Sequence, residues 1–387
     1  MGFAPQATYE ASGDTAIAVA DFNGDGRADI VETATGNGTP SSPDSGKVKA
    51  SVHLNHGDGT FAAASTYNTH METTAVTAGD FSGDGKPDFA VINVLGNLDV
   101  FVNQGNGTFG PLVSLAGPQT ALAMAAGDFN RDGHPDLAVT TQDRAIDILV
   151  GDGRSRFTPP IAYATGTEVD SIAVGDLNGD GYPDLVVTNS ELAGGCSGGV
   201  ICLPTGLGAG TVNVLINQRD GTFAPQVSYA SGNVTAAVAV GDLNGYGAPD
   251  IAATNSVDNT LSVFFNAGDG TFAPPVTYPN AGSGTSAPGR PFQSTGGGVV
   301  AADFNGDGHV DLVVVQGLEQ SRNGVVMLLA NAGDGTLLAP VSYPFAGFPD
   351  ALAVADFNGD GLPDLAVTSV DNTQSSFVMG VFLSECK

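Results

Sequence analysis

The nonapeptide Asp21-Phe-Asn-Gly-Asp-Gly-Arg-Ala-Asp29 returns six more times, beginning at Asp80, Asp128, Asp176, Asp242, Asp303 and Asp356. Six of the seven copies carry a carboxylate at positions 1, 5 and 9. All seven have Asn or Ser at position 3 and Gly at position 6: Gly26, Gly85, Gly133, Gly181, Gly247, Gly308 and Gly361. A hard cation such as Ca²⁺ takes about six to eight oxygen ligands, and a Gly-turned loop with an oxygen donor at alternate residues converges them. One such segment would serve equally well as a polar turn. Seven with the same acids in the same places read as cation sites.

Position 7 varies freely, as expected where the backbone carbonyl is the ligand. The expected ligand sets are Asp21, Asn23, Asp25, Arg27 and Asp29; Asp80, Ser82, Asp84, Lys86 and Asp88; Asp128, Asn130, Asp132, His134 and Asp136; Asp176, Asn178, Asp180, Tyr182 and Asp184; Asp303, Asn305, Asp307, His309 and Asp311; and Asp356, Asn358, Asp360, Leu362 and Asp364. In the copy at Asp242, Tyr246 stands where the fifth-position acid belongs, so about six Ca²⁺ ions are expected. The first copy also has the Glu32 of an EF-hand, but the others put Val91, Val139, Val187, Ala253, Val314 and Val367 there. Apolar runs such as AIAVA before the loops and PDLAVTT after them predict that each loop joins two strands rather than two helices.

The copies start 48 to 66 residues apart and reach both ends of the chain, so residues 1–387 are expected to form one array and one domain. After each exit strand comes a Gly-rich hairpin, such as NQGNGTF ending at Phe109 or NAGDGTF ending at Phe272, then a strand usually ending in Tyr (Tyr67, Tyr163, Tyr229, Tyr278, Tyr343). One repeat is four antiparallel strands. The last repeat stops after its third strand, while Phe3-Ala-Pro-Gln-Ala-Thr-Tyr9 reproduces the FAPQVSY of Phe223 to Tyr229. The N-terminal strand therefore completes the final unit, which is how a circular array closes.

Composition excludes several functions. With 55 Gly, 22 Pro and almost no helix-period segment, the chain is a turn-rich all-β protein. Its net charge of −29 is concentrated in the loops, which hold 20 of the 41 acids, so folding is expected to be coupled to the metal. The 12 Lys and Arg are scattered, which argues against nucleic acid as a partner. No apolar run is long enough to span a membrane. The chain enters a repeat strand directly, without a signal peptide, which suggests a mature domain with an added start codon. Low-affinity calcium modules suit extracellular calcium, so a secreted or surface-exposed, monomeric domain is expected. Cys196 and Cys202 lie close enough for a small disulfide, leaving Cys386 odd.

These repeats resemble the FG-GAP/VCBS type, the seven-bladed β-propeller of integrin alpha-chain heads, bacterial surface proteins and some fungal lectins. The resemblance implies a propeller of four-stranded blades with Ca²⁺ in the loop between the first and second strands of each. Antiparallel order puts these loops and the Gly-rich hairpins on one face. The insertions at Gly36 to Gly46, Ser190 to Gly210, Asn280 to Gly296 and Gly317 to Asn323 fall on the other. That face is the expected site for a glycan or protein ligand, with Arg290, Phe292, Gln293, Glu191, Glu319 and Arg322 as candidate contacts. A propeller enzyme acting on polysaccharide, in the manner of a lyase, is the alternative. No catalytic motif supports it; His53-x-x-His56 could in principle hold a metal with His70, but two-His spacing alone is common and points to no site.

Overall fold

The structure is a computed structural model and describes residues 2–11, 16–33, 49–70, 73–93, 95–190, 209–279, 298–318, 323–370 and 377–385. The residue closing each acidic nonapeptide is also the first residue of a strand: Asp29–Thr33, Asp88–Asn93, Asp136–Thr141, Asp184–Ser190, Asp250–Asn255, Asp311–Leu318 and Asp364–Val370. In the first five of these every side chain is buried, on both faces. A strand with no solvated face must be covered on both sides. Each is the second strand of a four-stranded antiparallel sheet, packed between the sheets before and after it.

The innermost strands are Ala16–Ala20, Thr73–Gly79, Ala121–Gly127, Glu168–Gly175, Thr235–Gly241, Val299–Ala302 and Phe348–Ala355. Each lies against the next, and the last lies against the first, so the seven sheets form a closed ring of blades. Small residues are needed where the strands crowd: a Cβ on Gly241 would lie 3.1 Å from the Ala301 Cβ of the next blade. The third strands, from Lys49–His53 to Phe377–Phe382, are again mostly buried. In the outermost, from Ser65–Asn68 to Val341–Phe345, the third residue is half-buried with an exposed residue on either side. That residue is the Tyr of the sequence repeat, or Leu115 in the second blade.

Closure follows the expected offset. Ala7–Ala11 is the outermost strand of the seventh blade, with Tyr9 opposite Met379, and Gly2–Phe3 adds a short pairing with Ser384–Glu385. Among the described residues every regular element is a strand, and no helix is long and apolar enough to cross a membrane.

Two repeated contacts hold each blade to its predecessor. The second residue of each acidic loop, buried and apolar, packs edge-on against the aromatic residue ending the next blade's hairpin: Phe22 on Phe109 at 5.4 Å, Phe81 on Phe157 at 5.8 Å, Phe129 on Phe223 at 5.5 Å and Phe357 on Phe61 at 5.4 Å. Leu177 with Phe272, and Leu243 with Leu337, share apolar clusters in the same arrangement. Phe304 meets Phe3 at 5.7 Å, so the N-terminal segment supplies the seventh contact. Secondly, the Asn that follows the third strand spans two blades. Asn266 Nδ2 donates to the Pro249 carbonyl of its own blade (2.8 Å) and to the Leu177 carbonyl of the previous one (2.7 Å). Asn55, Asn103, Asn217 and Asn331 do the same.

Asn266→Ala leaves two buried carbonyls without a donor. It is expected to cost about 2–3 kcal/mol, read as a lower urea midpoint at an unchanged slope.

Candidate metal-binding loops

Every nonapeptide forms the same loop, because its acids accept hydrogen bonds from their own backbone. Asp21 Oδ1 accepts the amides of Gly24 (2.7 Å) and Asp25 (3.0 Å), and its Oδ2 accepts that of Gly26 (2.7 Å). Asn23 Oδ1 and Asp25 Oδ1 accept the amides of Asp25 and Arg27. Asp303 and Asp356 repeat the first pattern closely. The sixth-position glycines all have φ between 83° and 89°, the left-handed conformation that explains why no other residue stands there.

The ninth-position acids are different, being fully buried. One oxygen of Asp29 accepts the amides of Phe22 (2.9 Å) and Asn23 (3.3 Å), and the other accepts that of Asn55 (2.7 Å), which begins the second hairpin. Asp136 holds Phe129 and Gly151 in this way, Asp184 holds Leu177 and Asn217, and Asp364 holds Phe357 and Ser384. One carboxylate thus fixes the acidic loop to the hairpin beside it. Desolvation pushes Asp29, Asp136, Asp184, Asp311 and Asp364 up to about 6, against the lowering effect of these amides. Asp311 Oδ1 accepts the Asn331 amide at 2.8 Å, but its buried Oδ2 makes no hydrogen bond of normal geometry.

The fifth loop tests what the acid at position 5 contributes. With Tyr246 there, Asp242 still accepts the amides of Gly245, Tyr246 and Gly247 at 2.8, 3.1 and 2.8 Å, and Gly247 keeps φ at 86°. The loop conformation therefore does not depend on that acid. The Tyr246 side chain is 87% exposed.

Cations approach three of the six fifth-position acids. Lys86 Nζ lies 2.9 Å from Asp84 and Arg27 lies 3.8 Å from Asp25, each from two residues along the same loop. Arg219 Nε reaches Asp180 at 2.9 Å from the neighbouring hairpin. Beside it, the Arg131 guanidinium of the third loop lies over the Tyr182 ring at 5.1 Å. Both arginines have left-handed backbone, φ 70° for Arg219 and 57° for Arg131, an arrangement costing a side-chain-bearing residue about 1 kcal/mol.

Other sequence candidates are dispersed. His53, at the end of Lys49–His53, is buried on Glu32 at 3.3 Å, and Glu32 lies in Asp29–Thr33, the strand that the EF-hand pattern would have made a helix. The other six blades put Val or Ala at the Glu32 position and Phe or Leu at that of His53. His70 meets Asp99 at 2.9 Å and His56 is exposed, so the three histidines do not gather. Among the described residues no three His, Cys, Asp or Glu side chains are clustered around a point, because the loop acids turn to the amides and side chains of their own loop. The candidates Glu191, Arg290, Phe292, Gln293, Glu319 and Arg322, and Cys196, Cys202 and Cys386, lie outside the described residues. The strand ends from which the insertions spring do lie on the face opposite the acidic loops. Sequence reasoning missed the amide-holding role of the ninth-position Asp and the two-blade Asn. The recurrence of Asn before five hairpins was its available signal.

The FG-GAP-like repeat description matches residues 39–91, 80–139, 128–187, 242–314 and 303–367, and the FG-GAP repeat description matches 14–49. Among solved structures, the chain is similar to the lectin BP39L from Burkholderia pseudomallei (TM-score 0.65, 17% identity, 98% of each chain covered). It is similar too to an Agrocybe aegerita lectin described as recognising non-reducing terminal N-acetylglucosamine (TM-score 0.57, 17% identity, 97% of this chain and 85% of that one). A third is BBS1N, solved in complex with ARL6DN (TM-score 0.59, 12% identity, 99% and 96% covered). At these identities the likeness is one of fold. No curated protein matches the chain.

Because folding raises the ninth-position carboxyls, the folded chain holds their protons more tightly than the unfolded one. Their contribution to stability is therefore fullest below about pH 4 and is lost as pH rises through about 6. In chelator, the melting temperature is expected to rise between about pH 7 and about pH 5. A fall over that interval would show that burial of these carboxyls is not what limits the metal-free protein.

Proposed function

Given that the chain belongs to the FG-GAP-like repeat family, we propose that it is a calcium-stabilised extracellular β-propeller that binds carbohydrate on the face opposite its acidic loops. The observation carrying the calcium half is the fifth loop. Asp242, Asn244, Gly247 and Asp250 suffice to shape it, yet the other six loops all retain an acid at the position of Tyr246. In those six loops the acid also caps the seventh residue's amide, as Asp25 does for Arg27 and Asp360 for Leu362, but the fifth loop holds its shape without that cap, and oxygen donation to a hard cation explains why the acid is kept.

The donor chemistry fits Ca²⁺: carboxylates at positions 1, 5 and 9 of the loop, an amide or hydroxyl oxygen at position 3 and a carbonyl at position 7. Asp311, with a buried oxygen that makes no normal hydrogen bond, fits it too. When bound, the ion would supply positive charge to carboxylates that desolvation otherwise penalises. The protein's own residues do the positioning. The first-position Asp sets the turn, and the ninth-position Asp carries that order into the adjoining hairpin.

Carbohydrate is favoured as ligand by the lectin neighbours and by the topology, in which the described strands flanking the insertions end on the face opposite the acidic loops. A protein ligand is the second reading, favoured by the likeness to BBS1N, itself solved with a protein bound.

Calorimetric titration of EDTA-stripped protein is expected to count about six ions, and Tyr246→Asp to add one. A melting curve unchanged by EDTA would overturn the calcium reading. In a glycan array run with calcium, a bound glycan class is expected. An empty array together with capture of a defined protein would replace the carbohydrate reading by the second one.

A further inference from the structure

The fourth acidic loop differs from its siblings in the charge around it. Asp180 Oδ1 accepts the Tyr182 amide at 2.9 Å, and its Oδ2 accepts Arg219 Nε at 2.9 Å and Asn178 Nδ2 at 3.3 Å. The side chain of Asp180 is 10% exposed, against 38% for Asp84 and 36% for Asp25 beneath their own in-loop cations. Lys86 and Arg27 come from two residues along the same turn, Arg27 also donating to the His56 carbonyl, whereas Arg219 is delivered from a separate hairpin onto a carboxylate that is nearly buried.

The origin of the guanidinium is the second observation. The positions equivalent to Arg219 in five other hairpins are Gly57, Gly105, Gly153, Gly268 and Gly333, all with positive φ. Those equivalent to Arg131 in the other loops are Gly24, Gly83, Gly179, Gly245, Gly306 and Gly359, again all with positive φ. Twice, therefore, an arginine occupies a backbone conformation that glycine fills elsewhere, and both reach the same loop. Arg219 takes Asp180, and Arg131 lies over Tyr182 with its guanidinium close to Gly181. Strain kept at two positions that converge on one site points to a role there.

We propose that Arg219, assisted by Arg131, is a resident counter-cation of the Asp176–Asp184 loop, making it the weakest divalent-cation binder of the six acid-complete loops and the one least dependent on an ion for its shape. This rests on the reading of the loops as Ca²⁺ sites. To use Asp180 as a ligand, an incoming cation must displace a charge-assisted hydrogen bond and then sit near a fixed positive charge. A unit charge a few ångströms from a divalent ion, even screened by water, lowers affinity on the order of tenfold. Loops in which neither Lys nor Arg pairs with the fifth-position acid, such as those at Asp303 and Asp356, bear no such penalty.

Terbium, which replaces Ca²⁺ in oxygen sites, can be read at this loop because the chain has no Trp and Tyr182 is the one Tyr within the six acid-complete loops, the signal from Tyr246 in the fifth loop being common to the protein and its Tyr182→Phe variant. The probe is Tb³⁺ alone, added to EDTA-stripped protein with excitation of tyrosine. Emission lost in Tyr182→Phe, which keeps a ring under Arg131 and the same backbone carbonyl, is the fourth-loop signal. It is expected to saturate last in the unmodified protein and to move to about tenfold lower Tb³⁺ in Arg219→Gly. Arg219→Lys, which keeps the charge, should move it much less. A fourth-loop midpoint unchanged in Arg219→Gly, with calorimetry showing the other loops filling normally and circular dichroism showing a folded ring, would overturn the proposal. If no loop binds Tb³⁺ or Ca²⁺ in any variant, the reading of the loops as calcium sites fails instead.

Discussion

A buried carboxylate that accepts backbone amides from two different turns is the interaction on which this ring depends. The ninth-position Asp receives the start of the acidic loop on one oxygen and the start of the next hairpin on the other, as Asp184 does with Leu177 and Asn217. Burying a carboxylate is costly, and hydrogen bonds from oriented amides offset only part of the cost, which is why desolvation raises all seven groups and pushes Asp184 up to about 6. The return is geometric. Two turns that would otherwise be independent become one rigid corner, and six such corners, with Asp311 holding only its hairpin, set the spacing of the blades.

The same corner explains the apolar and polar contacts between neighbours. With the loop fixed, its second residue points into the next blade and meets a hairpin aromatic, and its carbonyl is offered to that blade's Asn. The outermost Tyr completes the arrangement: Phe223 and Phe272 donate their amides to the hydroxyls of Tyr163 and Tyr229 in the preceding blades. Where the pattern lapses, the contact changes rather than disappears. In the third blade, where Gly151 replaces the Asn, the Ser155 amide alone holds the Phe81 carbonyl, at 2.7 Å, a bond that Gly59 and Gly107 make to Phe357 and Phe22 beside the Asn of their blades. In the seventh, Ser384 takes the place of Asn and donates to Pro363.

Most of the fold was legible in the sequence because the repeat carries its own register. Acidic nonapeptides at fixed places within four-strand units define where each first strand ends and each second strand begins, and the displaced Phe3 to Tyr9 segment announces circular closure. What the repeat does not encode is whatever differs between copies. Glu32 and His53 are single letters in the linear chain, and only strand pairing brings them together as a buried pair on the side of the first blade that faces the seventh. Arg131 and Arg219 are 88 residues apart and converge only because one blade's hairpin lies over the previous blade's loop. Their one visible sign is a missing glycine. Nor could the acids' alternative employment, as acceptors for their own amides, be separated from ion binding without seeing a loop that lacks one of them.

That each blade's hairpin finishes its neighbour's corner has a consequence for how such a chain can change. No repeat is a self-sufficient module, since the Phe and Asn that shelter its loop belong to the following unit, and for the seventh unit that sheltering comes from the first. Gain or loss of a unit by recombination is therefore tolerated only when the cut falls at the same phase of the repeat on both sides. The crossing of the two termini in one sheet preserves that phase, because it stitches the circle shut in the middle of a blade rather than at a seam between two.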